Sequence, residues 1–310
     1  MKRVFTAALA ATTLLLAGAC GGNDDSAQPA ATTPSSAAAS YPVTVGDLTL
    51  DARPEKIVSL SATATEMLFA IGAGAQVTAV DDQSNFPADA PKSDLSGFKP
   101  NAEAIAAKDP DLVVLANDID KIVSQLTALK IPVFLAAATA DLDGTYEQIG
   151  QLGTLTGHAD EAGALSTQMK TDIDKIVKDV PQRSTPLSYY YELDPTFYSV
   201  TSKTFVGSVF TLFGLTNVAD PADADGAKSG YPQLSAEALV KSDPDTIFLA
   251  DSKCCQQSPA TVAARKGWST ITAVKSKQIY ALDDDIASRW GPRTVDLVRA
   301  IADAVTKVPA

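Results

Sequence analysis

The chain has 310 residues, 45% of them apolar, with 25 basic and 37 acidic side chains, three cysteines and a single histidine. The formal net charge of −12 excludes attraction to nucleic acid or anionic lipid through bulk charge and favours basic partners. One histidine also disfavours a bare zinc or manganese site, which needs several imidazoles together with carboxylates.

Lys2-Arg3 precede an apolar run, Val4 to Ala19, that is short for a bilayer span and shaped like a secretory signal, so residues 1–19 are read as a signal peptide and the protein as exported. The run ends Leu16-Ala17-Gly18-Ala19-Cys20-Gly21, which resembles a bacterial lipobox, although Ala17 stands where that pattern prefers Leu. On this reading Cys20 takes a diacylglycerol and becomes the mature N-terminus; the alternative is an ordinary signal peptide cut nearby. From Asn23 to Ser40 no aliphatic residue exceeds Ala in size, so the segment has nothing to bury. Residues 20–50 are therefore assigned as the lipidated cysteine and a tether that holds a soluble body off the membrane. Without Lys2 and Arg3 the balance is 23 basic against 37 acidic residues, or −14. No second apolar stretch is long enough for a membrane helix, so anchoring rests on the lipid alone.

The remaining chain, about 270 residues, is long enough for two lobes with substantial cores. Ile57 to Leu60 reads as a buried strand, and Thr63-Ala64-Thr65-Glu66 as a capping box opening a helix that runs through Leu68, Phe69 and Ile71 to a stop at Gly72. Val77 to Val80 is the next strand, with Asp81 to Asn85 at its carboxyl end. A segment then occurs twice. Ala102-Glu103-Ala104, Asp109-Pro110-Asp111 and Leu115-Ala116 return as Ala236-Glu237-Ala238, Asp243-Pro244-Asp245 and Leu249-Ala250, at a constant offset of 134 positions. Each copy predicts a short helix, an Asp-Pro stop and a buried strand, hence an α/β unit in each half. Pro132 to Leu135 is a further strand, with its proline tolerable at the first residue.

Between the halves, Ala162, Leu165, Met169, Ile173, Ile176 and Val180 recur at helical spacing from Ala159 until Pro181 ends the run, predicting a connecting helix over 159–181 roughly 33 Å long. In the second half, Ser188 to Leu193 is a strand and Val206 to Phe213 a helix stopped by Gly214. Within Tyr189-Tyr190-Tyr191 the outer two share one face, so part of the run belongs to the core. Trp268 reads as a packing residue. Cys254 and Cys255 sit side by side in an oxidising compartment, where they form a vicinal disulfide that stiffens a loop at the mouth of a cleft or remain two free thiols. The fold class that follows is α/β: two related Rossmann-like lobes, residues 51–158 and 182–310, joined by one long helix, with a ligand cleft between them.

An exported, duplicated α/β chain with one connecting helix resembles the substrate-binding proteins of bacterial ABC importers that take up ferric siderophores, haem and vitamin B12. The resemblance covers nearly everything from Pro54 to Val305. It is carried by Arg53 to Leu60, by Thr65 to Gly72, by Gly97-Phe98 before Pro100-Asn101, by both Asp-Pro-Asp copies and by Gly291-Pro292-Arg293. It implies a receptor tethered to the outer face of the cell membrane by its lipid, monomeric, that delivers a small-molecule metal chelate to a permease driven by a separate ATPase. It further implies that Glu103 and Glu237, one per lobe, dock into permease arginines; the alternative is that each caps or solvates its own helix.

Strand ends collect the candidate ligand residues: Ser61, Asp82 and Phe98 from the first lobe, and Tyr191, Tyr198, Tyr231, Lys253, Arg289 and Trp290 from the second. Arg289 and Trp290 rank first, since an aromatic face suits a bulky chelate and a guanidinium pairs with carboxylate, catecholate or phosphate. The alternative is that Trp290 packs on the C-terminal helix and Arg289 pairs with Asp284 or Asp285. Haem is less favoured, because His158 lies just before the connecting helix, although Tyr191, Tyr198 or Tyr231 could supply an axial ligand. No Gly-x-Ser-x-Gly elbow, no phosphate-binding loop and no His paired with a nucleophile marks an enzyme. The expectation is a receptor without catalytic residues or cofactor, whose cargo is a ferric siderophore or a cobalamin-type corrinoid. A scaffolding or adhesion lipoprotein is the weaker alternative.

Overall fold

A computed structural model describes residues 40–309 of the chain. The predicted signal peptide, Cys20 and residues 20–39 of the tether lie outside the described residues. The tether boundary at residue 50 needs correction, because β1 (Val43–Val45) and β2 (Leu48–Leu50) form an antiparallel hairpin around Gly46. Val43, Val45, Leu48 and Leu50 alternate with polar residues and pack with Tyr41 on the first lobe's core. That period of two is a half-buried strand pattern, which the low-complexity composition just before it obscures.

The first lobe follows as β3 (Ile57–Leu60), α1 (Ala62–Ala70), β4 (Val77–Asp81), β5 (Lys92–Leu95), α2 (Ala102–Ala106), β6 (Leu112–Leu115), α3 (Ile122–Ala128), β7 (Val133–Leu135) and α4 (Leu142–Thr156). Its five strands are all parallel, in the order β5-β4-β3-β6-β7. After the connecting helix α5 (Ala159–Asp179), the second lobe runs β8 (Ser188–Glu192), α6 (Phe205–Thr211), β9 (Thr216–Asn217), α7 (Ala236–Ser242), β10 (Thr246–Leu249), α8 (Ser252–Cys255), α9 (Pro259–Ala263), α10 (Thr272–Lys275), β11 (Ile279–Ala281), α11 (Asp284–Ala287) and α12 (Thr294–Lys307). Its four strands are parallel too, in the order β11-β10-β8-β9. Overlaying the two orders makes β4-β3-β6-β7 the counterpart of β9-β8-β10-β11, with β5 the addition in the first lobe.

The repeated Asp-Pro-Asp has the same function in both lobes. Its first aspartate takes a left-handed conformation, φ 51° at Asp109 and 45° at Asp243, which short polar side chains tolerate. Its second anchors the neighbouring central strand. The Asp111 carboxylate accepts the Glu55 and Lys56 amides at 2.8 and 3.0 Å, ahead of β3, and the Asp245 carboxylate accepts the Ser188 amide at 2.8 Å, at the start of β8. The helices of both lobes leave through glycines at positive φ, 88° at Gly72 and 67° at Gly214.

Strands β3, β6 and β10 are buried at every position, as expected of parallel sheets covered on both faces. Each lobe accordingly has two apolar clusters. Tyr189 and Tyr191 enter one and Tyr190 the other, and Trp268 belongs to the latter. Helix α5 serves both lobes. Ala162, Leu165 and Met169 pack on the first lobe's core, while Ile173, Ile176 and Val180 pack on the second. Twenty-one residues make a brace of roughly 31 Å.

Helix α1 begins two residues earlier than the capping-box pattern predicts. Ser61 is its cap, accepting the Ala64 amide at 3.2 Å, so Glu66 has no capping function.

At the carboxyl end of the second sheet, Glu192 is wholly buried and paired through both oxygens with Arg265 at 2.6 Å. Asp251 is also fully buried, and neither of its oxygens meets a donor. Burial, and next the Glu192 carboxylate beside it, push the Asp251 carboxyl from 3.8 up to about 7. A folded-state value raised in this way gives a contribution to stability that is complete below the unfolded value and lost as pH rises through about 7. Asp251→Asn is therefore expected to raise Tm clearly at pH 8 and much less at pH 5. The same Tm change at both pH values would show that ionisation of this carboxyl is not what costs stability.

Candidate functional site

The carboxyl ends of the first lobe's strands meet the α11–α12 region of the second lobe around a cavity of about 430 Å³. β3 contributes Ser61 and Thr63 just beyond its end, β4 contributes Asp81 and Gln83, and β5 contributes Gly97 and Phe98. Asn117 follows β6, and the opposite wall is Asp285, Ser288, Arg289 and Trp290.

Close backbone approach fixes Gly97, since a Cβ there would stand 2.5 Å from Asp81 Oδ2 and 3.2 Å from the Leu60 carbonyl. Asp81 accepts the Ser84 hydroxyl at 2.6 Å, and Ser84 in turn touches Thr65 at 2.9 Å. Burial raises the Asp81 carboxyl above the usual carboxylate range despite that bond. Phe98 stands at the mouth, 66% exposed. Trp290 is half-buried, packs on the cores of both lobes and donates its indole N–H to Gln148 Oε1 on α4 at 3.0 Å. It is thus an anchor between lobes with an edge in the cavity.

Arg289 is the only cation among the described lining residues, and its charge is fully engaged. Its guanidinium donates to Glu66 Oε1 at 2.8 Å, Asn85 Oδ1 at 2.9 Å, the Gln83 carbonyl at 3.0 Å and Asp285 Oδ1 at 2.9 Å. Glu66, on α1 of the opposite lobe, also receives Arg293 through both oxygens, at 2.9 and 2.5 Å. The Arg293 guanidinium lies 4.4 Å from the Phe86 ring centroid. Of the two alternatives weighed for Arg289, pairing with Asp285 is the one present, and Glu66 is the partner that sequence reading missed. Its capping-box spacing concealed it, and only the fold brings residue 66 to residues 289 and 293.

Other predicted residues fall elsewhere. Tyr191 needs correction: it is fully buried, with its hydroxyl donated to the Ala287 carbonyl at 2.9 Å, and it cannot reach a ligand. Asp82 is exposed and turned out of the cavity, which takes Asp81 and Gln83 on either side of it. Lys253 is exposed and held by Asp283 and Asp285, each at 2.8 Å. Tyr198 and Tyr231 are exposed but outside the cavity lining, on two segments joined by Ser199-to-Pro232 and Thr201-to-Gly230 backbone bonds. His158 lies away from the site, 2.8 Å from Arg53, where α5 joins the first lobe. Cys254 and Cys255 form a vicinal disulfide in α8, whose first amides, those of Ser252, Lys253 and Cys254, donate to the Asp284 carboxylate. Glu103 and Glu237 occupy equivalent first-turn positions of α2 and α7. Both are exposed, and neither forms an ion pair among the described residues. No cluster of three or more metal-ligating side chains occurs among the described residues.

A family model described as periplasmic binding protein matches residues 57–286. The chain belongs to the periplasmic binding protein family. This binding protein is 29% identical to an ABC transporter substrate-binding lipoprotein of Bacillus subtilis over 284 residues, covering 86% of each chain. It is 30% identical to a cobalamin-binding protein of Halobacterium salinarum over 281 residues, covering 86% of the present chain and 74% of that one. Among solved structures, the vitamin B12-binding protein of Vibrio cholerae superposes with a TM-score of 0.67 at 24% identity, over 81% of this chain and 96% of that one. A possible iron-binding periplasmic protein of Staphylococcus epidermidis gives 0.71 at 25% identity, over 83% and 100%. The family consists of transport binding proteins, not enzymes.

Glu66 is 3% exposed and lies between two arginines of the lobe interface, sharing its one negative charge between them. Replacing it by Gln leaves Arg293 without its carboxylate and Arg289 with Asp285 alone, and the expected loss is about 3–5 kcal/mol of unfolding free energy. Urea denaturation monitored by circular dichroism measures this. A loss under about 1 kcal/mol, the range of an exposed pair, would show that the cluster does not hold the lobes together.

Proposed function

We propose that this periplasmic binding protein is the substrate-binding component of an ABC importer whose cargo is a cobalamin-type corrinoid. The observation that carries the choice of cargo is the chemistry of the cavity. Its one cation is satisfied by protein carboxylates, and among the described lining residues there is no His, Tyr, Met, Cys or Lys. A ferric tricatecholate is a trianion and needs unspent positive charge. Haem brings two propionates and an open axial position, so it needs cations and a ligating side chain. A cobalamin is close to neutral, carries its own cobalt ligands and presents a rim of amides. Hydroxyl and amide side chains such as Ser61, Thr63, Gln83 and Asn117 match that rim, and Phe98 and Trp290 offer aromatic surface. A cavity of about 430 Å³ takes in part of so large a ligand, with the rest at the open mouth beside Phe98. The cobalamin- and B12-binding names of several relatives support the same choice.

On this reading the body sits outside the membrane on a lipid attached to Cys20, as a monomer, and passes its cargo to a permease powered by a separate ATPase. Glu103 and Glu237, equivalent in the two lobes, are the contacts proposed for that permease.

Two measurements test these assignments. Trp290 and Trp268 are the only tryptophans, and Trp268 is buried in the second lobe. Cyanocobalamin is expected to quench the emission of residues 41–310 saturably, with most of the quench lost in Trp290→Phe while calorimetry still detects binding. Absence of saturation in both methods rejects the corrinoid. For docking, Glu103→Lys combined with Glu237→Lys is expected to abolish uptake in cells and leave the affinity of the isolated body for cyanocobalamin intact. Unimpaired uptake by the double variant removes both glutamates from the docking role.

A further inference from the structure

Asp285 holds three partners from three parts of the molecule. It accepts Arg289 at 2.9 Å, Lys253 at 2.8 Å and, across the lobe boundary, the Asn85 amide at 3.1 Å. Two of these are the cations that sequence reading assigns to ligand binding. Arg289, Arg293 and Lys253 are balanced by Glu66, Asp283 and Asp285, so the wall of the cavity carries no surplus positive charge. Glu66 is shared by two arginines inside the interface, and Asp283 is not among the lining residues, so Asp285 is the balancing carboxylate that itself faces the cavity. Burial pushes its carboxyl up, but Lys253, Asn85 and Arg289 together hold it below the usual carboxylate range, so it stays ionised near neutrality. Lys99, beside Phe98 on the rim, is the nearest exposed cation in sequence to the lining and forms no ion pair among the described residues.

The geometry points to Asp285 as the residue that determines the charge of the ligand the cleft accepts. By taking up the charge of Arg289, the one cation among the described lining residues, it excludes anionic chelates and leaves a surface fit for a neutral one. This deepens the corrinoid reading and rests on it for the identity of the accepted ligand. Exclusion of anions rests on the charge balance alone. The cost of admitting an anion is electrostatic: a polyanion entering the cavity meets a fixed carboxylate at close range with no free counter-charge on the same wall.

The test compares cyanocobalamin with a trianionic ferric tricatecholate, by calorimetry, on the wild type and on Asp285→Asn. Asp285→Ala is the second variant, for the case in which Asn keeps the hydrogen bonds. Asp296→Asn changes the same unit of net charge on the exposed face of α12, where Asp296 pairs with Arg299, and serves as control. The Asp285 variants are expected to shift the ratio of tricatecholate to cyanocobalamin affinity by roughly tenfold or more toward the anion, through a gain that shrinks as salt is added. Asp296→Asn is expected to leave that ratio within about twofold of wild type, as for a screened surface charge. An unchanged ratio in both Asp285 variants, an equal shift in Asp296→Asn, or tight tricatecholate binding by the wild type overturns the proposal. If the wild type binds neither ligand and the Asp285 variants gain the tricatecholate, the charge filter stands and the corrinoid reading fails.

Discussion

The arrangement of the two lobes depends on one buried carboxylate. Glu66 projects from the first helix of the first lobe and takes two guanidinium groups from the loop that opens the last helix of the second. Burying charge is expensive, and a lone ion pair in this position repays its desolvation only when every remaining donor is satisfied. Here both glutamate oxygens are occupied, and Arg289 finds three further acceptors in Gln83, Asn85 and Asp285. Two arginines on one glutamate leave a positive charge over, and Asp285 is what cancels it. The charge at the cavity wall is therefore a consequence of how the lobes are joined, since the group that completes the interface also faces the ligand.

Two other elements limit the freedom of that joint. Trp290, next to Arg289, packs on both cores and bonds Gln148 of the first lobe. On the far side, α5 lays the first half of its apolar stripe on one core and the second half on the other. A helix held along its length resists bending far more than a pair of extended crossover strands would, because bending it breaks i to i−4 bonds as well as packing. Lobe rotation about that joint is thereby restrained, and on the docking role proposed for Glu103 and Glu237 the loaded and empty receptor would differ by a slight displacement of the surfaces that carry them.

What the sequence revealed and what it hid divide along physical lines. The duplication, the stop at each Asp-Pro, the alternation of Tyr189 to Tyr191 and the stripe of α5 depend on neighbours in the chain, and all are legible. The second aspartate of each repeat was visible only as a repeat; its bond to the neighbouring strand's amides depends on sheet order. Glu66 was misread for the same reason. Its spacing from Thr63 satisfies a local rule, and the stronger demand on it comes from residues more than two hundred positions away. Tyr191 lies near the carboxyl end of its strand and so reads as a cleft residue, but β8 is covered on both faces and Tyr191 enters the core. The hairpin at Val43–Leu50 was lost to its low-complexity surroundings.

The cavity itself shows why ligand class is harder to read than fold. Arg289 and Lys253 look, in sequence, like a basic patch awaiting an anion. The structure gives both to Asp285, a residue that the sequence offers only as one of two alternative partners for Arg289. Counting charged residues near a strand end thus predicts the wrong field, because a cation bound to a protein carboxylate is unavailable to a ligand unless the ligand outcompetes that carboxylate. An anion entering here would have to displace Asp285 from Arg289 and loosen the contact with Asn85 across the lobes. Ligand charge and lobe geometry are in this way linked through one side chain, and a neutral ligand is the kind that can enter without disturbing either.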